Sequence, residues 1–119
     1  MKSAARDDVF RLHAQICKAL ADPHRLLILI QLRHGAKTVG EIAHAIASSQ
    51  PMTSRHLAVL REKGLVQTEH AGAFVRYSLA DRRILTAIDL LLDVLEAQLT
   101  RQGARGNAVR RLRSVARTA

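Results

Sequence analysis

The tightest constraint on the fold is a pair of short helical patterns separated by a brief polar turn. Thr38 and Glu41 have the spacing of a capping box, so we expect one helix over Val39–Ala47. The serine pair 48–49 can cap a second helix, which has a proline in its first turn and should reach Lys63. Two short helices joined by a tight polar turn predict a helix-turn-helix.

The hydrophobic period changes directly after this second helix. Segments Leu65–Glu69 and Phe74–Leu79 have strand-like patterns, and the residues 70–73 between them include a glycine. A short hairpin that follows a helix-turn-helix is typical of a wing. The sequence therefore predicts a winged helix-turn-helix.

Three further helices should flank this motif. We expect them over Asp8–Leu20, over Pro23–Arg33 and from a cap at Asp81 to Gln102. The apolar positions of the last helix cover a surface too wide for one small domain to bury. The predicted fold is mainly α, with five helices and a two-stranded wing, and it should dimerise through its first and last helices.

Length and charge divide the chain into a body and a tail. The 119 residues allow one domain, which we place at residues 1–102. Residues 101–119 carry six arginines and no acid, out of a net charge of +9, so we expect 103–119 to be a basic, disordered tail. A basic balance suits a polyanionic partner, although a tail that only aids solubility is an equal alternative.

The sequence lacks the marks of a secreted or membrane protein. No apolar run is long enough to cross a membrane, and the first residues do not resemble a signal peptide. The single cysteine, Cys17, excludes an intrachain disulfide framework and fits a reducing compartment. We therefore expect a cytoplasmic protein.

The predicted helix-turn-helix carries a family resemblance. The runs Ser49–Leu57 and Leu60–Val66 resemble the recognition helix of ArsR/SmtB-type winged-helix repressors. Segments Ala19–Leu26 and Gly72–Leu79 agree as well, so the resemblance spans roughly residues 16–95. It implies a homodimeric transcriptional repressor that binds double-stranded operator DNA with an inverted repeat and is released by an unknown small effector.

The outward side of the recognition helix suggests how DNA is contacted. Arg55 can reach guanine or phosphate, Ser54 can donate to phosphate, and Gln50 can read a base edge. The resemblance implies a DNA contact for His56 too, but a half-buried structural histidine is an equal alternative. In the wing, Arg76 is the candidate for a backbone or minor-groove contact. The predicted DNA-binding residues are Ser49, Gln50, Ser54, Arg55, His56 and Arg76.

Metal sites of the resembled family lack their ligands in this sequence. Where some of these repressors have cysteines on the third helix, this chain has Thr38 and Gly40. Where others have histidines on the last helix, it has Arg83 and Val94. We therefore expect no metal and no cofactor. Four other histidines show no ligand spacing and are interpreted as surface or capping residues: His24, His34, His44 and His70.

Cys17 and His13 are the remaining candidates for a redox or effector site. They lie four residues apart on the first predicted helix, so their side chains can share a face. A nearby imidazolium can make a thiol reactive, and two such pairs in a dimer could hold a metal. A lone helical cysteine is more often a small buried hydrophobic residue, which we favour.

Two alternatives to a specific repressor remain. One is a protein-binding winged helix that never reads DNA, and the other is a non-specific basic DNA-binding protein. A preference for inverted repeats over scrambled duplex would separate both from a repressor. An enzyme is not expected, because the sequence contains no nucleophile–base set, phosphate-binding glycine loop or paired carboxylates.

Overall fold

A computed structural model describes residues 3–102, so the predicted tail at 103–119 lies outside the described residues. Within this range the chain forms five α-helices and three short strands. They are α1 (Ser3–Leu20), α2 (Pro23–Gln31), β1 (Lys37–Thr38), α3 (Val39–Ala45), α4 (Gln50–Glu62), β2 (Val66–Ala71), β3 (Phe74–Leu79) and α5 (Arg83–Gln102). None of these helices is long and apolar enough to cross a membrane.

The predicted winged helix-turn-helix is confirmed, with changes at the ends of several elements. Helix α1 begins five residues earlier than predicted, and α2 ends in a 3-10 turn over Leu32–His34. The first wing strand continues to Ala71, so the connection is the two-residue turn Gly72-Ala73 rather than four residues. Gly72 has φ +63°, as the first central residue of a type II′ turn requires.

Strand β1 was not predicted. It pairs antiparallel with β3, placing Lys37 opposite Tyr77 and Thr38 opposite Arg76, and gives the sheet order β1-β3-β2. Two residues are too few to show a hydrophobic period, so only tertiary pairing identifies this strand. Because Thr38 also caps α3, the strand fixes the start of the helix-turn-helix against the wing.

The core lies where α2, α3 and α4 meet. Leu57 and Leu60 of α4 and Ile42 of α3 are fully buried, and Leu85 and Ile88 bring the start of α5 to the same cluster. At roughly 1.5–3 kcal/mol for each large aliphatic side chain, this burial is the main force that packs the two short helices together.

The two helices of the motif end in the same way. The Ser48 amide donates to Ala43 O (2.9 Å) and the Ala47 amide to His44 O (3.2 Å), which is a Schellman motif. Helix α4 ends identically around Gly64, which has φ +75°. At the first site Ala47, with φ +53°, occupies the left-handed position that favours glycine. The turn of the helix-turn-helix therefore contains local backbone strain.

Helix α5 is attached to the core near its N-terminus. Asp81 accepts hydrogen bonds from the amide (2.9 Å) and the guanidinium of Arg83. These bonds lower the pKa of Asp81 to about 2, and the guanidinium has the larger effect. Further along, Asp89 forms a bidentate ion pair with Arg33 at 2.8 and 3.2 Å. Arg82 donates to the carbonyl oxygen of Arg33 (2.8 Å).

Beyond these contacts, α1 and α5 expose apolar side chains. On α1 the apolar side chains lie largely in solvent, and on α5 most of those in the second half do as well. The exposed large hydrophobic residues of these helices are Val9, Phe10, Leu12, Ile16, Leu90, Leu91, Val94 and Leu95. A surface of this kind marks an interaction site.

Ala47→Gly should raise the free energy of unfolding by about 0.5–1 kcal/mol. A left-handed conformation costs an L-residue roughly 1–2 kcal/mol, and the extra chain entropy of glycine offsets about half of that. Urea unfolding would measure the change. Ala58→Gly, at an exposed position inside α4, is the matched control and should lower stability by about 1 kcal/mol. Destabilisation by both variants would contradict the strain at Ala47.

Candidate nucleic-acid interface

Helix α4 is held so that one face is buried and the other is free. Thr53, Leu57 and Leu60 have no exposed surface, and they follow one another at helical spacing. Ser54 and Arg55 lie on the other side and are exposed. The structure therefore places these two predicted contacts on the outer face of α4.

The start of α4 is fixed by Ser49. Its hydroxyl accepts the Met52 amide (3.2 Å), while its carbonyl oxygen accepts the Thr53 hydroxyl (2.8 Å). The second bond also satisfies a fully buried polar side chain. The Ser49 hydroxyl keeps its own hydrogen, so this predicted contact can cap the helix and still donate to a phosphate.

Gln50 lies back across α3. An added Cβ at Gly40 would come within 3.2 Å of Gln50 Nε2, so the missing side chain at position 40 leaves room for this amide. From the sequence, Gly40 was interpreted only as a lost ligand position. In the structure, Gly40 leaves space for the Gln50 side chain at the junction of α3 and α4. A larger residue at position 40 would displace this side chain.

Arg76 is exposed on the central strand of the sheet, opposite Glu69 on β2 and Thr38 on β1. Hydrogen bonds from Thr38, and then the positive charges of Arg76 and Lys37, lower the pKa of Glu41 below its ordinary value. Arg76 is thus close enough to the capping box for its charge to stabilise the Glu41 carboxylate.

His56 is directed towards α2 rather than fully outward. Its side chain is 18% exposed, and its ring stacks on His24 with centroids 5.3 Å apart. Its Nε2 lies 4.0 Å from Asp22 Oδ1, and its Nδ1 lies 3.5 Å from Arg25 Nη1. Burial first, then the charge of Arg25, lowers the pKa of His56 against the opposing effect of Asp22.

Asp22 and Arg25 tie this histidine to the start of α2. Asp22 Oδ1 accepts the amides of His24 (2.8 Å) and Arg25 (3.2 Å), and these bonds outweigh burial and lower the pKa of Asp22. Arg25 also donates to the carbonyl oxygens of Ala19 and Lys18 at the end of α1. A polar cluster therefore joins α1, α2 and the recognition helix.

This cluster was not predicted from the sequence, because His56 is far along the chain from its partners on α2. His24 was interpreted as a surface or capping residue, although it stacks on a histidine of α4. The cap at Asp22 was the one available signal, and it gave no indication of His56.

Cys17 and His13 lie elsewhere. Both are exposed on α1, so the expectation that Cys17 is a small buried residue is wrong for the single chain. The reason is that α1 contributes mainly Ala19 to the core, while its other apolar positions remain in solvent. The structure does not bring this pair together with the residues of α4 or the wing.

The stability of the protein should fall as the pH drops below about 6.5. The pKa of His56 in the folded protein lies below its ordinary value of 6.5. On acidification the unfolded chain therefore takes up the proton first. Neutral His56 therefore makes its full contribution to the free energy of unfolding above pH 6.5. This contribution is lost as the pH falls from 6.5 through the lower pKa of His56 in the folded protein. Urea unfolding between pH 8 and 5 should show a smaller decline for His56→Gln. The exposed His70→Gln should behave like wild type, and equal declines in all three would contradict the assignment.

Known proteins resemble this chain in sequence. Residues 22–68 match the family described as bacterial regulatory protein, arsR family. The HTH-type transcriptional regulator NmtR of Mycobacterium tuberculosis is 43% identical over 76 residues, covering 64% of this chain and 63% of NmtR. The regulator CmtR of Mycobacterium bovis is 38% identical over 89 residues, covering 75% of each chain. The matched segment spans less than two thirds of NmtR, and only 52% of the M. tuberculosis repressor SmtB.

Solved structures resemble the fold as well. The homodimeric winged helix-turn-helix domain Mb0332 from Mycobacterium bovis has a TM-score of 0.75 at 28% identity, covering 82% of this chain and 91% of that one. Reduced HlyU from Vibrio cholerae has a TM-score of 0.67 at 32% identity, covering 76% and 95%.

Proposed function

Because the chain belongs to the arsR family of bacterial regulatory proteins, we propose that it is a sequence-specific DNA-binding repressor that acts as a homodimer on an inverted-repeat operator. The observation that carries this proposal is the exposed face of α4. Its inner side is fully buried, so Ser54 and Arg55 are presented outward on a rigid element. The named relatives are transcriptional regulators, in line with the expectation that the chain is not an enzyme.

The chemistry of this face suits the major groove. The Arg55 guanidinium can donate two hydrogen bonds to a guanine edge or bind a phosphate, and Ser54 can donate to the backbone. The amides at the start of α4 favour a phosphate as well. Gln50, Ser49 and Arg76 complete the proposed interface, with Arg76 on the central strand of the sheet.

His56 has a different part in this proposal. Since its ring lies against Asp22, Arg25 and His24, it supports the orientation of α4 more than it extends towards DNA. We assign it as a positioning residue, next in sequence to Arg55.

The exposed apolar faces of α1 and α5 support a homodimer. Pairing them about a twofold axis would remove these side chains from water and place two recognition helices about one helical turn of DNA apart, roughly 34–36 Å. An inverted repeat is the DNA sequence that matches such symmetry. The relative Mb0332 is a homodimer with the same fold.

An effector would act on this assembly by changing the arrangement of the two α4 helices. It releases the operator only if it binds one arrangement more tightly than the other. Cys17 and His13 are accessible in the single chain, and they stay the candidates for a redox effector.

Arg55→Ala should weaken binding to the operator by about 1–3 kcal/mol per half-site and reduce discrimination against scrambled duplex. Fluorescence anisotropy with DNA from the intergenic region upstream of the coding sequence would measure both. Arg61→Ala removes the same charge from an exposed position on the same helix and is the matched control. It should change affinity only slightly.

Two outcomes would contradict the proposed function. Equal binding of operator and scrambled duplex by the wild-type protein would favour a non-specific basic DNA-binding protein. No binding to either would favour a protein-binding winged helix. Unchanged operator binding by Arg55→Ala would move the recognition surface away from this face.

Leu91→Glu should convert the dimer to a monomer, because it places a charge in the proposed seam. Leu91 is 64% exposed in the single chain, so the substitution does not disturb the protomer core. Sedimentation velocity would measure the state. Thr100→Glu adds the same charge at an exposed polar position on the opposite side of α5 and should remain dimeric. A dimeric Leu91→Glu protein would place the seam elsewhere.

A further inference from the structure

We propose that Asp22, His24 and His56 form a binding site for one divalent transition-metal ion such as Zn²⁺. One ligand atom from each side chain lies within 4.8 Å of the other two. The site joins the start of α2 to the inner edge of the recognition helix, next to Arg55 in sequence. It revises the expectation that the chain has no metal site, in which His24 was interpreted as a surface or capping residue.

The spacing of the ligand atoms is close to what zinc requires. His24 Nδ1 lies 3.7 Å and His56 Nε2 lies 4.0 Å from Asp22 Oδ1. Zinc bonds of about 2.0–2.2 Å in a tetrahedron place neighbouring ligand atoms roughly 3.4 Å apart. Each histidine nitrogen therefore needs to approach the carboxylate by only a few tenths of an ångström, whereas the widest separation in the set, up to 4.8 Å, requires a larger movement of one ring.

The donors have the right chemistry. Two imidazoles and one carboxylate are ligands that Zn²⁺ accepts, and the partly exposed site leaves the fourth position to water. The recorded contacts of the carboxylate, two to amides and two to the histidines, all use Asp22 Oδ1. An ion at this spacing would share Oδ1 with the two amides that cap α2, and a turn of the carboxylate would bring Oδ2 to the ion in its place.

Binding would rearrange two neighbours. The rings of His24 and His56 are nearly parallel, at 9°, so one must rotate before both can point at a single ion. His24 is 45% exposed and has room to do so. An ion on His56 Nε2 leaves the ring proton on Nδ1, which faces Arg25 Nη1 at 3.5 Å, so this contact must open. Arg25 would retain its bonds to the end of α1.

The test is a titration of the metal-free, full-length protein with Co²⁺ and then Zn²⁺, without DNA. We expect one ion per protomer, with a tetrahedral Co²⁺ absorption spectrum that Zn²⁺ removes. His24→Gln should weaken Co²⁺ affinity at least tenfold, as should His56→Gln. Exposed His70→Gln is the matched control and should bind like wild type.

His24→Gln is the decisive variant, because its exposed side chain can change without disturbing the core, and circular dichroism would verify the fold. Co²⁺ binding by His24→Gln as tight as that of the wild type would overturn the proposal. A thiolate charge-transfer band lost in Cys17→Ser would also overturn it, since the ion would then be on α1. The titration contains no DNA, so its result is independent of whether the proposed operator binding holds.

Discussion

The structure depends most on the complete burial of the inner face of α4. Leu57 and Leu60 fill the space between α2 and α3, and Thr53 can join them only because its hydroxyl donates to the carbonyl oxygen of Ser49. An unsatisfied hydroxyl at that depth would cost roughly 1–3 kcal/mol. Once this face is fixed, the helical period fixes the opposite one. The outward direction of Arg55 is therefore a consequence of core packing and needs no contact of its own.

The helices around this centre differ in how far they bury their apolar residues. Helices α2, α3 and α4 bury their apolar residues within one chain, whereas α1 and α5 leave theirs largely in water. The polar cluster of Asp22, Arg25 and His56 reinforces the central part by joining the end of α1, the start of α2 and α4. The part that carries the proposed DNA-binding face is thus packed within a single chain, while the outer helices leave an apolar surface exposed.

Local signals in the sequence predicted most of the fold, and contacts between distant residues account for what was missed. The capping box of Thr38 and Glu41 fixed the start of α3, and the change of period after Gly64 indicated the wing. Helical angles placed Arg55 outside, but they put His56 at the boundary of the core, where only its neighbours decide its direction. Those neighbours lie on α2, more than thirty positions away, so spacing carried no information about them. Cys17 was misplaced for a related reason, since an apolar stripe does not reveal whether its own chain or another covers it.

The bidentate pair of Arg33 and Asp89 has a mechanical consequence. Together with the bond from Arg82 to the Arg33 carbonyl, it clamps the first half of α5 to the body that carries the recognition helix. The second half of α5 carries the exposed apolar residues Leu91, Val94 and Leu95. A rotation imposed on this apolar half would be transmitted at Asp89 to the body that carries α4. One half of α5 thus lies in the proposed apolar seam, while the other half is fixed beside the core.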